Sequence, residues 1–323
     1  MTDPGSAANI AVTTDHPQNT PPGSDPVGAD THSLWSDAVR QLRRKPSVII
    51  ASVIAVFFVV VAVFPSLFTS VDPGACNVSQ AKIRPQWFSG PHPFGTDQFG
   101  CDLMAQLVNG ARPSLLLAFV VVFFSVIIGV TLGTFAGFYL GWVDAIVSRV
   151  IEVFLVIPLL LAALLLLSLF RQDVSSGGGT FATILQPAIV LTGFGWMSYA
   201  RYVRASVLET KHLDYVTAAR VLGAGDFRIM FRHILPNAIS SVTALIPTAI
   251  AGVISAEAVL SFLGIGVRPP SISWGIMLNS GAEWFSGGYP HMLLFPLVCL
   301  MLTILAFVVI GDNLRDALDP KLK

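Results

Sequence analysis

Charge is what this chain has least of. Only 12% of its 323 residues are Asp, Glu, Lys or Arg, against roughly 25% in an average soluble domain. A globule of this size would lack the polar surface that keeps it in water, and a soluble enzyme is excluded. The 19 basic and 19 acidic side chains cancel, which removes the electrostatic footprint of a nucleic-acid binder. There is no G-x-x-x-x-G-K-[ST] loop to cradle a nucleotide's phosphates. H-E-x-x-H, C-x-x-C and G-x-S-x-G are missing, and the six histidines are scattered without metal-ligand spacing. The stretch Ser175-Ser176-Gly177-Gly178-Gly179 is glycine-rich but has no lysine, and reads as a linker. No catalytic residue, metal site or cofactor is therefore expected in this chain. Residues 1–33 contain no Lys or Arg and are rich in Thr, Pro, Asp, Gly and Ser. They are expected to form a disordered tail, and they lack the basic start and apolar core of a secretory signal.

Apolar residues are abundant instead, at 54% of the chain with a mean hydropathy of +0.72. Six runs are long enough to cross a hydrocarbon core of about 30 Å at about 1.5 Å per residue: Ser47–Phe68, Ser114–Phe138, Val150–Phe170, Phe181–Ala200, Asn237–Phe262 and Met292–Ile310. The expected fold is all-α and membrane-integral, with six transmembrane helices. The fourth and fifth runs carry Gln186, Pro187, Gly193, Gly195, Ser240, Ser241, Thr243, Pro247, Thr248, Gly252, Ser255 and Glu257. Such residues are disfavoured against lipid and tolerated against other helices or a wet cavity, so these two helices are expected inside. Placing both termini in the cytoplasm puts Lys and Arg on the inner segments over the outer ones by about three to one. Residues 34–46 place Leu34, Trp35, Ala38, Val39 and Leu42 on one helical face and Arg40, Arg43, Arg44 and Lys45 on the other, the pattern of an interfacial helix. The expected organisation is thus a tail (1–33), an interfacial helix (34–46), a first span (47–68), an extracytoplasmic loop (69–113), a five-helix core (114–310) containing an inner loop (201–236), and a cytoplasmic tail (311–323).

Four details carry alternatives. Cys76 and Cys101 share the predicted outer loop and are either disulfide-bonded or two free thiols, while Cys299 reads as a small apolar residue within a span. Glu257 is an acid within a span, which costs about 2.5–3.5 kcal/mol on insertion scales. It is either the proton relay of a secondary transporter or a structural acceptor for a neighbouring helix or Arg268. Ser240, Thr243, Thr248 and Ser255 around it either line a wet path or satisfy one another. The inner loop reads as two short helices, one ending at Gly223 and Gly225, the second capped by Asp226 and running Phe227–Ile234 before Pro236 starts the next crossing. It is either a knob for another protein or a solvated loop.

The wording of that loop carries a resemblance. Asp214-Tyr215-Val216-Thr217-Ala218-Ala219-Arg220-Val221-Leu222-Gly223, followed by Arg232-His233-Ile234-Leu235-Pro236-Asn237, resembles the EAA loop of ATP-binding-cassette (ABC) importer permeases. Ala218, Ala219, Gly223, Leu235 and Pro236 match; Thr217 stands where the family has glutamate and His233 where it has isoleucine. The outer stretch Gly95-Thr96-Asp97-Gln98-Phe99-Gly100-Cys101-Asp102 and then Gly110-Ala111-Arg112-Pro113-Ser114-Leu115 is similar to motifs of the second permease subunit of dipeptide and oligopeptide importers, with Cys101 in place of an arginine. Leu260-Ser261-Phe262-Leu263-Gly264 and Gly311-Asp312-Asn313-Leu314-Arg315-Asp316 extend the likeness to the C-terminus.

The resemblance implies a type I importer permease that forms half of a translocation pathway. Its partners would be a homologous permease subunit, two ATPase subunits that bind ATP and Mg, an extracytoplasmic substrate-binding protein and the lipid membrane. Asp214, Tyr215, Arg220, Asp226 and His233 would belong to the ATPase-docking loop with the matched residues. Peptides are the implied substrates, with haem or nickel complexes as alternatives within the same branch.

Overall fold

The structure is a computed structural model that describes residues 40–87, 89–170 and 179–318, without the side chains of Ser240 and Ser241. The predicted tail 1–33, residues 34–39 of the predicted interfacial helix, the linker through Gly178 and the last five residues lie outside the described residues. Every extended element among those described is helical; Thr96 and Asp102 form an isolated bridge.

Helix α1, Pro46–Val63, starts with proline at a position whose N–H would go unused. Val48, Ala51, Ala55, Phe58 and Ala62 recur every three or four residues and are buried, while Ile49, Ile50, Val53, Val56 and Phe57 face outward as a lipid-compatible surface. Helix α2, Leu103–Tyr139, has 37 residues, about 55 Å at 1.5 Å each. It begins eleven residues before the predicted span, so the segment 69–113 is not all loop. Its early polar groups are satisfied by protein: Asp102 Oδ1 caps the Ala105 amide at 2.8 Å, and Gln106 Nε2 donates to Asp97 Oδ2 at 2.8 Å.

The predicted span 150–170 is instead two helices, α3 (Gly141–Val156) and α4 (Leu159–Leu169), bent by 86°. Pro158 explains the break, because its ring disfavours helical geometry at the preceding residue, and Ile157 is extended. Helix α5, Thr180–Thr210, runs parallel to α2 and continues ten residues past the predicted end at Ala200. The predicted fifth span is also broken, into α8 (Leu235–Thr243) and α9 (Ile246–Phe262). Pro247 has no N–H to continue the ladder there. Helix α10, Trp274–Phe285, was not expected from the sequence, and α11, His291–Leu318, outlasts its predicted end by eight residues. Among the described residues, four helices (α1, α2, α5, α11) are long and apolar enough to cross a membrane, and the bent α3–α4 pair makes a fifth if counted as one span; α9 is shorter.

A close backbone approach joins α2 to α5. Gly129, Gly133 and Gly137 recur every four residues, and a Cβ at each would come within 2.6 Å of Trp196 O, 2.5 Å of Ala200 O and 2.9 Å of Arg204 O. Without a hydrophobic drive between helices in lipid, small residues that let backbones meet supply the packing. A bidentate pair between Arg204 of α5 and Asp144 of α3 ties the same end, with Nη2 to Oδ2 at 2.7 Å. Lys45 Nζ donates to Asn313 Oδ1 at 2.9 Å and joins α1 to α11.

Candidate functional site: the loop between α5 and α8

After α5, helix α6 spans Asp214–Val221 with Asp214 in its first turn and Arg220 in its last, both favourable to the helix dipole. It ends in a Schellman turn: the Gly223 amide donates to Arg220 O at 3.0 Å and the Ala224 amide to Ala219 O at 3.1 Å. Gly223 adopts φ +82°, so the turn requires glycine although a Cβ would meet open space. The next helix, α7 (Asp226–Ile229), corrects one expectation. Gly225 occupies the N-cap, and Asp226 is the first helical residue without a side-chain bond to a cap amide. A second correction follows. The chain does not stop at Ile234: a π-helical turn, Met230–Ile234, carries α7 directly into α8, with Pro236 at the second position of α8.

The elbow is fixed from one side only. Val216, Ile229, Met230 and Ile234 are buried with Phe138, Tyr199, Val203 and Val207 of the long helices. Tyr215 Oη donates to His233 O at 3.4 Å across the two limbs, and Lys211 Nζ to Phe138 O at 3.4 Å. The opposite face is apolar and open: Val221 is 82% exposed and Leu222 87%, with the Phe227 and Phe231 rings tilted against each other at 4.3 Å between centroids. Ala218, Arg220, Asp226 and Pro236 are exposed on this elbow, while Ala219, His233 and Leu235 are half-buried.

The outer motif lies elsewhere, before α2. Gly95 (φ +82°) and Gly100 (φ +80°) take turns closed to other residues. Thr96 is fully buried and donates to Gln80 O at 2.6 Å. Asp97 Oδ1 accepts the amides of Phe99 and Cys101, both at 2.8 Å. Asp102 Oδ2 meets His92 Nδ1 at 2.8 Å. Cys101, where the resembling motif has arginine, is bonded to Cys76. Arg112 stands exposed on α2, outside this net of bonds.

The residues suggested for a wet path separate in space. Glu257 is 1% exposed and sealed between helices, accepting from Ser114 Oγ at 3.1 Å and Ser261 Oγ at 2.7 Å. Ser261 Oγ also accepts the Val267 amide at 3.0 Å, and Trp274 Nε1 donates to Leu107 O at 3.0 Å. Thr248 instead lines a cavity between α2, α5 and α9 with Ser125, Ser198, Tyr199 and Tyr202. Thr243 and Ser255 are half-buried, and the Ser240 side chain is outside the described residues. Sequence reasoning missed Ser125 and Tyr199. The polar set Gly195, Ser198, Tyr199 and Tyr202 at helical spacing was the available signal.

Residues 129–323 match the family model described as binding-protein-dependent transport system inner membrane component. That stretch covers more than half of the chain. The chain belongs to this family. Residues 33–86 also match the N-terminal TM domain of oligopeptide transport permease C. The oligopeptide transport system permease protein OppC of Bacillus subtilis is 35% identical over 300 residues, 93% of this chain and 94% of that protein. The glutathione transport system permease protein GsiD of Salmonella typhimurium is 38% identical over 290 residues, 90% and 91% of the two chains. Among solved structures, a chain of the inward-facing MetNI methionine ABC transporter aligns with a TM-score of 0.53 at 22% identity, covering 67% of this permease and 98% of that chain. The likeness to MetNI is one of fold: this permease is an all-helical, multi-pass member of the type I importer architecture.

Proposed function

We propose that this permease subunit imports peptides in an ABC transporter, with the 201–236 elbow as the fitting through which ATPase subunits drive it. The observation that carries this reading is the asymmetry of the elbow, packed on one face and apolar and open on the other. An exposed pair such as Val221 and Leu222 is a standing free-energy cost unless a partner covers it. The names of the relatives, which include oligopeptide, dipeptide and glutathione transport permeases, support peptides as the substrate class.

In this reading both termini and the elbow are cytoplasmic, and the disulfide-bonded segment faces outward. A homologous permease supplies the other half of the path, two ATPases bind ATP and Mg, and a binding protein delivers substrate from outside. Closure of the ATPases on ATP pulls the elbow. Because Val216, Ile229 and Met230 are packed against α2 and α5, the pull moves those helices rather than bending the loop, and the path opens outward. Hydrolysis resets it. Glu257 is a structural acceptor, since serines of its own helix and of α2 hold both carboxylate oxygens.

Gly223→Leu tests the docking role. A side chain at φ +82° forces the Schellman turn to rearrange, so the expected result is loss of ATP-driven peptide uptake with normal membrane abundance. Normal uptake by that variant contradicts the proposal.

A further inference from the structure

A groove of about 620 Å³ runs along the outward face of α1, from Leu42 and Arg43 just before the helix to Phe57. Ile49, Ser52, Val53, Val56 and Phe57 recur at helical spacing and form one stripe of it. Ile310 and Leu314, one turn apart on α11, make the facing wall, and Val48 closes the floor at 6% exposed. Only Arg43 among the described lining residues is charged. From Val48 to Phe57 the slot follows α1 for about 14 Å at about 1.5 Å per residue. Half of a hydrocarbon core of about 30 Å is about 15 Å. The slot is one leaflet deep.

Its rim is cationic. Arg43 and Arg44 are exposed in the turn before α1, and neither has an ion-pair partner among the described residues. From Ala38 to Val71 the chain has no Asp or Glu. Asp312 and Asp316 of α11 each follow a wall residue by two positions, about 200° around the helix, and so sit on its far side. The N-terminus of α1 opens at the same rim without a side-chain cap, so partial positive charge and free amides join the two arginines. A helix of another protein would cross both leaflets, whereas this slot ends at Phe57 while α1 continues to Val63.

We infer that the groove is a site for an anionic phospholipid of the inner leaflet, with an acyl chain along Ser52 and Val56 and the phosphate against Arg43, Arg44 and the N-terminus of α1. The inner-leaflet assignment rests on the orientation given above, and the site is independent of what the importer carries. A zwitterionic lipid brings the same tail but a cancelling ammonium, so the headgroup decides which lipid is held. The seated lipid bridges α1 to α11 beside the bond from Lys45 to Asn313 and holds the first helix on the bundle.

The test uses the complete importer in phosphatidylcholine vesicles that carry a trace of either phosphatidylglycerol or phosphatidylcholine with a photoreactive group in the acyl chain. Mass spectrometry reads the labelling of residues 48–57 and 310–314. An arginine near the membrane surface favours anionic lipid by about fivefold, so phosphatidylglycerol should label the groove over phosphatidylcholine by about that factor or more. Arg43→Ala with Arg44→Ala should bring the ratio close to equality. Ser52→Phe fills the slot but keeps the arginines, and should lower the ratio by about fivefold as well. Equal labelling in the unmodified importer overturns the site. An unchanged ratio in Ser52→Phe also overturns it, because the arginines then gather lipid without the groove. A photoreactive amino acid at Val53 that captures residues 1–39 or another subunit in place of lipid overturns the choice of occupant. In a Cys299→Ser background, an impermeant maleimide added outside should leave Ser47→Cys unlabelled. Labelling there overturns the inner-leaflet assignment and the orientation beneath it, whatever the lipid ratio.

Discussion

The segment before α2 and the segment between α5 and α8 both connect long helices and both expose apolar side chains, Val78 and Phe99 in the first and Val221 and Leu222 in the second, yet they handle their polar groups in opposite ways. Around residues 76–102, side-chain groups of Thr96, Asp97 and Asp102 are bonded inside the segment or to α2, and Cys76 is bonded to Cys101. At the elbow, few side-chain bonds close the structure, and Val221, Leu222 and Phe227 face outward. A segment that satisfies itself is a finished piece of fold. One held by few bonds of its own suits the docking role proposed for the elbow.

The sharpest way to break the contrast is to charge the open face. Leu222→Asp should weaken ATPase docking by about 2–4 kcal/mol, the range of an interface hot spot, while the isolated subunit keeps its abundance. Co-purification of the ATPases and peptide-driven ATP hydrolysis measure this, and unchanged docking would make the elbow a merely solvated turn. Next in size, Cys76→Ser should destabilise the closed segment by about 3 kcal/mol in the chain-entropy model for a loop of this length. The readout is faster cleavage between residues 76 and 101 by trypsin, whose site there is Lys82, since Arg84 precedes Pro85. Asp102→Ala, which removes the α2 cap, should cost about 1 kcal/mol and lower the unfolding midpoint in detergent without changing ATPase docking.

The smallest effect sharpens the comparison within the bundle. Glu257→Gln keeps an acceptor for one serine and a donor for the other, so uptake should persist with unchanged dependence on external pH. Glu257→Ala strands Ser114 and Ser261 and should cost about 1–3 kcal/mol for each buried group left unpaired. A strong pH dependence lost in Glu257→Gln would instead mark a proton relay.

The local geometry of the elbow was partly legible in advance. Gly223 and Pro236 marked its turns because a left-handed turn and a proline-started helix demand particular residues, whereas Ala218, Ala219 and Leu235 were singled out by the family resemblance alone. The N-cap of α7 was misread, since Asp226 and Gly225 are adjacent and both suit a cap; the neighbouring Schellman turn, which places Gly225 extended, decided between them. Ser125 and Tyr199 were invisible for a different reason. Nothing in a run of apolar residues says which isolated hydroxyl faces lipid, a neighbour or a cavity.

Composition and hydropathy determined by themselves that this chain lives in a membrane as helices, because a bilayer leaves unpaired backbone no alternative. Spacing determined the turn at Gly223, a local matter of backbone geometry. Pro158 and Pro247 mark the helix breaks locally; only the tertiary structure decided how far α2 and α5 extend beyond the apolar core, and that Glu257 and Thr248 serve different places. Those outcomes depend on which side chains meet across helices more than a hundred residues apart, such as Ser114 and Glu257, and no local pattern encodes that meeting.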